Sequence, residues 1–138
     1  MPFNDRRETD SIRPMANYEL MIETDFAAAH RLRGYPGDCA RLHGHNWRVE
    51  LYVACETLDD IGLAVDYKVL KRELKEALAD WDHYNLNDVP PFDSINPSSE
   101  NVARVLYERM AQRLDDSRLR VSRIAIGETC TAKVIYRP

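Results

Sequence analysis

Nothing in these 138 residues approaches the roughly 20-residue apolar run that a membrane-spanning helix needs. The opening stretch, MPFNDRRETDSIRPMAN, lacks the apolar middle region of a secretory signal peptide. There is no basic excess either. Lys and Arg number 19 against 23 Asp and Glu, for a formal charge of −4, and no basic stripe marks a nucleic-acid binder. Cysteine is scarce: Cys39, Cys55 and Cys130 are odd in number and form no CxxC pair. That argues against a secreted disulfide framework and makes a reducing cytoplasm the default location. Internal repeats and low-complexity tracts are also missing. What remains is an ordinary globular composition, 44% hydrophobic and 30% charged, at a length that suits one domain. Residues 1–17, polar and without periodicity, read as a flexible tail, which leaves residues 18–138 for the domain.

Within that domain the apolar residues alternate before they cycle. Tyr18, Leu20, Ile22, Thr24, Phe26, Ala28 and His30 share one parity, the mark of a half-buried strand ending in a histidine. After a loop containing Gly34, Pro36 and Gly37, the residues His43, His45, Trp47, Val49, Leu51, Val53 and Cys55 form a second such row. Asp66 then has the chemistry of an N-cap. Tyr67, Leu70, Leu74, Ala77, Leu78 and Trp81 recur at helical spacing behind it. A long loop, residues 82–96, leads to Asn96-Pro97-Ser98-Ser99-Glu100, a helix start, and Val102, Leu106, Met110 and Leu114 form the stripe of a second helix. Two closing strands are expected near residues 119–127 and 130–137, with Ile124, Ile126 and Glu128 on one parity. The order is β-β-α-α-β-β, an α+β antiparallel sheet with two helices on one face.

Three of the four histidines, His30, His43 and His45, fall at the ends of the apolar rows of two neighbouring strands. A single buried histidine is commonly a hydrogen-bonded core residue. Three that converge across a hairpin make a nitrogen-rich metal site, and zinc is favoured because rigid strands suit tetrahedral imidazole ligation. Cys39 lies four residues before His43. As a fourth ligand it would close the site into a structural one. Held off the metal, it would be an ionisable thiol beside an open coordination position, and an inert loop thiol is the third reading. Spacing alone does not separate these. His83 follows Asp82, an acid able to orient it, and Glu128 extends an inward-facing row; each also has a plain role as a loop or turn residue. The cluster Asp93, Asn96, Ser98 and Ser99 reads as helix capping.

Five segments in this order, Phe26-Ala27-Ala28-Ala29-His30, Cys39-x3-His43-Gly44-His45-Asn46, Asp82-His83, Asn96-Pro97-Ser98-Ser99-Glu100-Asn101 and Glu128-Thr129-Cys130-Thr131-Ala132, resemble the 6-pyruvoyl-tetrahydropterin synthase superfamily. The spacing before His43-Gly44-His45 and the Glu-Thr-Cys-Thr-Ala ending are most similar to its 6-carboxy-tetrahydropterin synthase branch, which serves queuosine biosynthesis. The resemblance implies a tunnelling fold (T-fold) whose subunits join their sheets into an oligomeric β-barrel, a hexamer or tetramer, with active sites at subunit interfaces. It implies Zn2+ on His30, His43 and His45, a catalytic thiol at Cys39, a relay at Asp82 and His83, and a glutamate at Glu128 that both anchors the pterin and relays protons, with Thr129 beside it.

The activity so implied is a lyase reaction on 7,8-dihydroneopterin triphosphate, giving 6-carboxy-5,6,7,8-tetrahydropterin, acetaldehyde and triphosphate. Hydrogen moves from side chain to ring, so no nicotinamide or flavin is expected, and neither is a nucleic-acid or membrane partner. Arg31, Arg33 and Arg41 are candidates for the triphosphate. Rival readings are a 6-pyruvoyl-tetrahydropterin synthase, an aldolase-like cleavage of dihydroneopterin, a zinc hydrolase, and a zinc-stabilised binding module without catalysis. Trp81 departs from the pattern, which usually has an aliphatic residue before Asp-His.

Overall fold

The computed structural model describes residues 17–138, so the expected tail lies outside the described residues except for Asn17. Strand β1 (Tyr18–His30) and strand β2 (His43–Cys55) pair antiparallel over their full length, from Tyr18 opposite Cys55 to His30 opposite His43. Both run the lengths that the alternating rows predict. One face of the pair is buried: Ile22, Phe26, Ala28 and His30 on β1 meet Trp47, Val49, Leu51 and Val53 on β2. Helix α1 (Tyr67–Ala77) starts where Asp66 accepts a hydrogen bond from the Lys68 N–H at 2.8 Å. Leu70, Leu74 and Ala77 are its buried stripe. Tyr67 departs from the expected row and is exposed, because at the first helical position it precedes the turns that pack. Trp81 is fully buried but sits beyond the helix, in a turn closed by its own N–H on Leu78 O.

Helix α2 (Ser99–Leu114) is capped by Ser98, whose hydroxyl accepts from the Asn101 N–H. It buries Val102, Leu106, Met110 and Leu114, as its spacing predicts, with Ala103 and Val105. It packs on strands β4 (Leu119–Thr129) and β5 (Ala132–Tyr136) and against α1. Among the described residues no helix is long and apolar enough to cross a membrane.

Two features depart from a plain antiparallel sheet. The order is β3-β1-β2-β4-β5, and β3 is a two-residue strand, Tyr84–Asn85, running parallel to β1 with Ala28 beside Tyr84. After α1 the chain re-enters at the outer edge of β1 running opposite to β2, and since β2 is antiparallel to β1, β3 lies parallel to β1. The sheet is therefore mixed. Strand β4 also carries two register shifts, one opposite Tyr52/Val53 and one between Gly127 and Thr129. The first moves the core row from Leu119 and Val121 to Ile124 and Ile126; the second leaves Glu128 as the extra residue of a β-bulge.

Candidate metal centre

The register of β1 and β2 decides where the histidines go. His30 stands opposite His43, and His45 opposite Ala28, so all three point to the helix-covered face. Their ring centroids lie 4.6 Å (His30–His43), 5.1 Å (His30–His45) and 4.8 Å (His43–His45) apart. One nitrogen from each comes within 4.8 Å of the others, so the trio could hold a metal ion.

Hydrogen bonds prepare the rings for that task. His30 Nδ1 is 2.7 Å from Pro97 O, and His43 Nδ1 is 2.7 Å from Arg41 O. A carbonyl only accepts, so both Nδ1 atoms carry the proton and both Nε2 atoms keep a lone pair. Nε2 of His30 and Nε2 of His45 are buried without a hydrogen-bond partner. Unpaired buried polar atoms cost stability unless something satisfies them, and a divalent cation held by the trio would do so. Burial also holds the titration of His30 and His45 below the ordinary histidine range, favouring the neutral ligand form, although the Glu128 charge pulls the other way.

Trp47 forms the floor beneath the trio. Its ring stands edge-on to His30 at 4.7 Å and His45 at 5.6 Å, and its indole N–H donates to Ala28 O at 3.2 Å. Phe26 stacks on Trp47 at 5.8 Å, and Trp81 leans on Phe26 at 5.9 Å. Trp81 is thus part of the aromatic packing behind the site, with the Arg109 guanidinium over its ring at 4.5 Å.

The other expected site residues are placed around this centre. Among the described residues the metal-capable group contains the three histidines and not Cys39, which lies half-buried in a short 3-10 turn, Asp38–Ala40. Glu128 brings Oε2 to 3.7 Å from His45 Nε2, too far for a hydrogen bond but near enough for its charge to act. Thr129 is exposed at the hairpin tip, its hydroxyl 3.4 Å from that of Thr131. Asp82 and His83 lie on the outer edge of β1, just before β3, beside Ala27. Asp82 Oδ1 accepts from both the Ala27 N–H (3.0 Å) and His83 Nδ1 (2.9 Å), and the His83 N–H donates to Ala27 O at 2.6 Å. His83 has φ of 67°, left-handed backbone that a non-glycine residue adopts at a cost, and its side chain is 80% exposed. It borders a shallow hollow with Ala27, Ala28, Gly44, Asn46 and His45, the last a member of the trio. Of the three arginines, Arg33 is taken up internally: its guanidinium donates to the carbonyls of Phe92, Asn87 and Ile95. Arg31 and Arg41 are exposed.

Two residues that sequence patterns left as capping or loop matter here. Pro97 supplies the carbonyl that orients His30, and Asn96 bonds the backbone of Arg33 rather than capping α2. Their partners lie 67 and 63 residues away, so no local signal marks them.

Against this geometry, the family model of 6-pyruvoyl tetrahydropterin synthase matches residues 19–138. The chain belongs to that family. A curated 6-carboxy-5,6,7,8-tetrahydropterin synthase of Bacillus subtilis is 33% identical over 129 residues, spanning 88% of this chain and 86% of the relative. One from Synechocystis is 34% identical over 119 residues, 83% of this chain and 88% of the relative. Among solved structures, 6-pyruvoyl tetrahydropterin synthase from Caenorhabditis elegans superposes with a TM-score of 0.78 at 27% identity, covering 88% of this chain and 95% of that one. The helices on a largely antiparallel sheet are the T-fold of this 6-pyruvoyl tetrahydropterin synthase family.

Proposed function

We propose that residues 18–138 form one catalytic domain that works as a zinc-dependent 6-carboxy-5,6,7,8-tetrahydropterin synthase of the cytoplasm. The observation that carries the reading is the converging set of His30, His43 and His45, two of them with Nδ1 tied to carbonyls and two with buried Nε2 atoms that lack a hydrogen-bond partner, in a chain of this family. The carboxy product is favoured over the pyruvoyl one by the names of the curated relatives at 33–34% identity.

The substrate on this reading is 7,8-dihydroneopterin triphosphate, and with one water it yields 6-carboxy-5,6,7,8-tetrahydropterin, acetaldehyde and triphosphate. Carbon and hydrogen balance without an outside oxidant, because the ring gains the hydrogen that the side chain loses. Zinc, when bound to the three imidazoles, supplies a Lewis acid beside the substrate side chain. Glu128 accepts two parallel hydrogen bonds from the N–H and amino group on one edge of the pterin, with Thr129 next to it. The Cys39 sulfur stays off the metal and, as thiolate, takes a proton from the side-chain carbon. Asp82 holds His83 at 2.9 Å, so His83 Nδ1 carries a proton toward Asp82 and Nε2 is left to exchange one with the substrate. The His83 side chain is 80% exposed, and the reading has a second copy of the chain cover it, in a homo-oligomer with shared active sites.

Incubation of purified, zinc-loaded protein with dihydroneopterin triphosphate tests this directly. Mass analysis of the pterin, with an assay for acetaldehyde, is expected to give the carboxy product and acetaldehyde in equal amounts. A pyruvoyl-pterin without acetaldehyde would move the protein to the sister activity. No turnover, with zinc bound, would leave a binding module.

A further inference from the structure

The ladder between β1 and β2 stops at His30 and His43, yet the chain beyond His30 is not unpaired. The Arg31 N–H donates to Asn87 Oδ1 at 2.8 Å, and Asn87 Nδ2 donates to Arg31 O at 3.1 Å. Two residues on, the Arg33 N–H donates to Asn96 Oδ1 at 2.9 Å, and Asn96 Nδ2 donates to Arg33 O at 3.0 Å. Each side-chain amide satisfies both polar groups of one backbone residue, at the two-residue spacing of a strand ladder. The pair of amides therefore stands in for a neighbouring strand.

In an extended chain the residue between faces the opposite edge. That residue is Leu32, and its N–H donates to the carbonyl of Cys39 at 2.7 Å. The same segment that holds Arg31 and Arg33 also supplies the carbonyl of Pro97 to His30. It is braced in turn: Asn101 in the first turn of α2 donates to Asn96 O at 2.9 Å, and the Arg33 guanidinium reaches Phe92 O at 2.7 Å. Asn87 is only 8% exposed, a buried amide whose oxygen and nitrogen both have partners.

We propose that Asn87 and Asn96 are positioning residues that fix His30 and the Cys39 turn relative to one another. The assignment rests on the zinc site and thiol role proposed above, and neither asparagine touches the substrate. Their effect passes through the backbone of Arg31–Arg33. Losing one clamp frees one end of that strip, so the ring of His30 and the carbonyl anchor of Cys39 loosen together.

The test uses zinc itself and a thiol reagent on the full chain. Asn87→Ala and Asn96→Ala are expected to weaken zinc about tenfold in chelator competition, as loss of outer-shell support does at other metal sites. Both are also expected to change the alkylation rate of Cys39 relative to exposed Cys130 in the same molecules. Asn96→Asp keeps the acceptor for the Arg33 N–H and should fall between wild type and alanine; it also carries the test should an alanine variant not fold. Arg118→Ala is the control. It removes a similar brace, to the carbonyls of Thr57 and Ala64, away from the histidines. It should lower the melting temperature and leave zinc affinity and the Cys39 to Cys130 ratio unchanged. The proposal is overturned if the asparagine variants behave like Arg118→Ala, losing melting temperature alone. None of these readouts uses the pterin, so a wild type without turnover would defeat the proposed reaction and leave this comparison standing.

Discussion

His30 donates its Nδ1–H to the carbonyl of Pro97, 67 residues further along the chain, at 2.7 Å. That bond joins the end of β1 to the residue before the cap of α2 and sets which nitrogen of His30 is free. The imidazole trio is thus a product of the hairpin register and of the helix that covers it.

Removing one imidazole should show this. His43→Ala is expected to weaken zinc more than roughly 100-fold, because loss of a direct ligand exceeds the 10–100-fold cost of losing outer-shell support. Circular dichroism should stay close to wild type, since His43 is only half-buried at the strand end. Titration with a chromogenic chelator reads the affinity. An unchanged zinc content would remove the trio as the metal site.

Cys39→Ala separates thiol chemistry from ligation. The variant is expected to keep its zinc and its melting temperature while kcat falls about 10²–10⁴-fold, the usual worth of a positioned acid or base. Metal analysis alongside steady-state kinetics decides it. Loss of zinc together with stability would instead make the sulfur a ligand.

Gly127→Ala tests the bulge that carries Glu128. A Cβ at Gly127 would sit 3.2 Å from Thr129 O and 3.3 Å from Ala132 O, and both are backbone atoms of the hairpin. Overpacking of this kind costs about 1–3 kcal/mol. We expect a lower denaturation midpoint and a raised KM for the pterin, because the displaced bulge carries Glu128 with it. An unchanged KM would mean that Glu128 does not depend on this geometry.

Metal-free protein should lose stability on mild acidification. Burial holds His30 and His45 below the reference value of 6.5 in the folded chain, so between the two values the unfolded chain binds more protons. Stability is then full above about pH 6.5 and declines as pH falls below it. Thermal melts of apo protein from pH 8 to 5 check the sign. A melting temperature that rises on acidification would contradict neutral, buried imidazoles.

Much of this architecture is legible in the order of residues, for a mechanical reason. Strand side chains alternate, so the rows ending in His30 and starting at His43 carry both the buried face and the ligands on it. The helical stripe Val102, Leu106, Met110 and Leu114 is legible in the same way. Features that depend on distant partners are not. Parallel β3 exists because Ala28 and Ala29 offer it an edge, and Asn96 looks like a helix cap until Arg33 is folded beside it. The left-handed backbone of His83 has no glycine or asparagine to announce it. Glu128 has the inward parity that alternation predicts, but the bulge that delivers it is invisible without the β5 register.

Trp47 touches two of the three imidazoles edge-on, and the protein has two tryptophans in all. Its indole emission is therefore a built-in gauge of the cation. Cobalt bound by the trio should quench this residue at short range through its open d shell and affect the more distant Trp81 less, so that the unlabelled chain reports its own metal loading in real time.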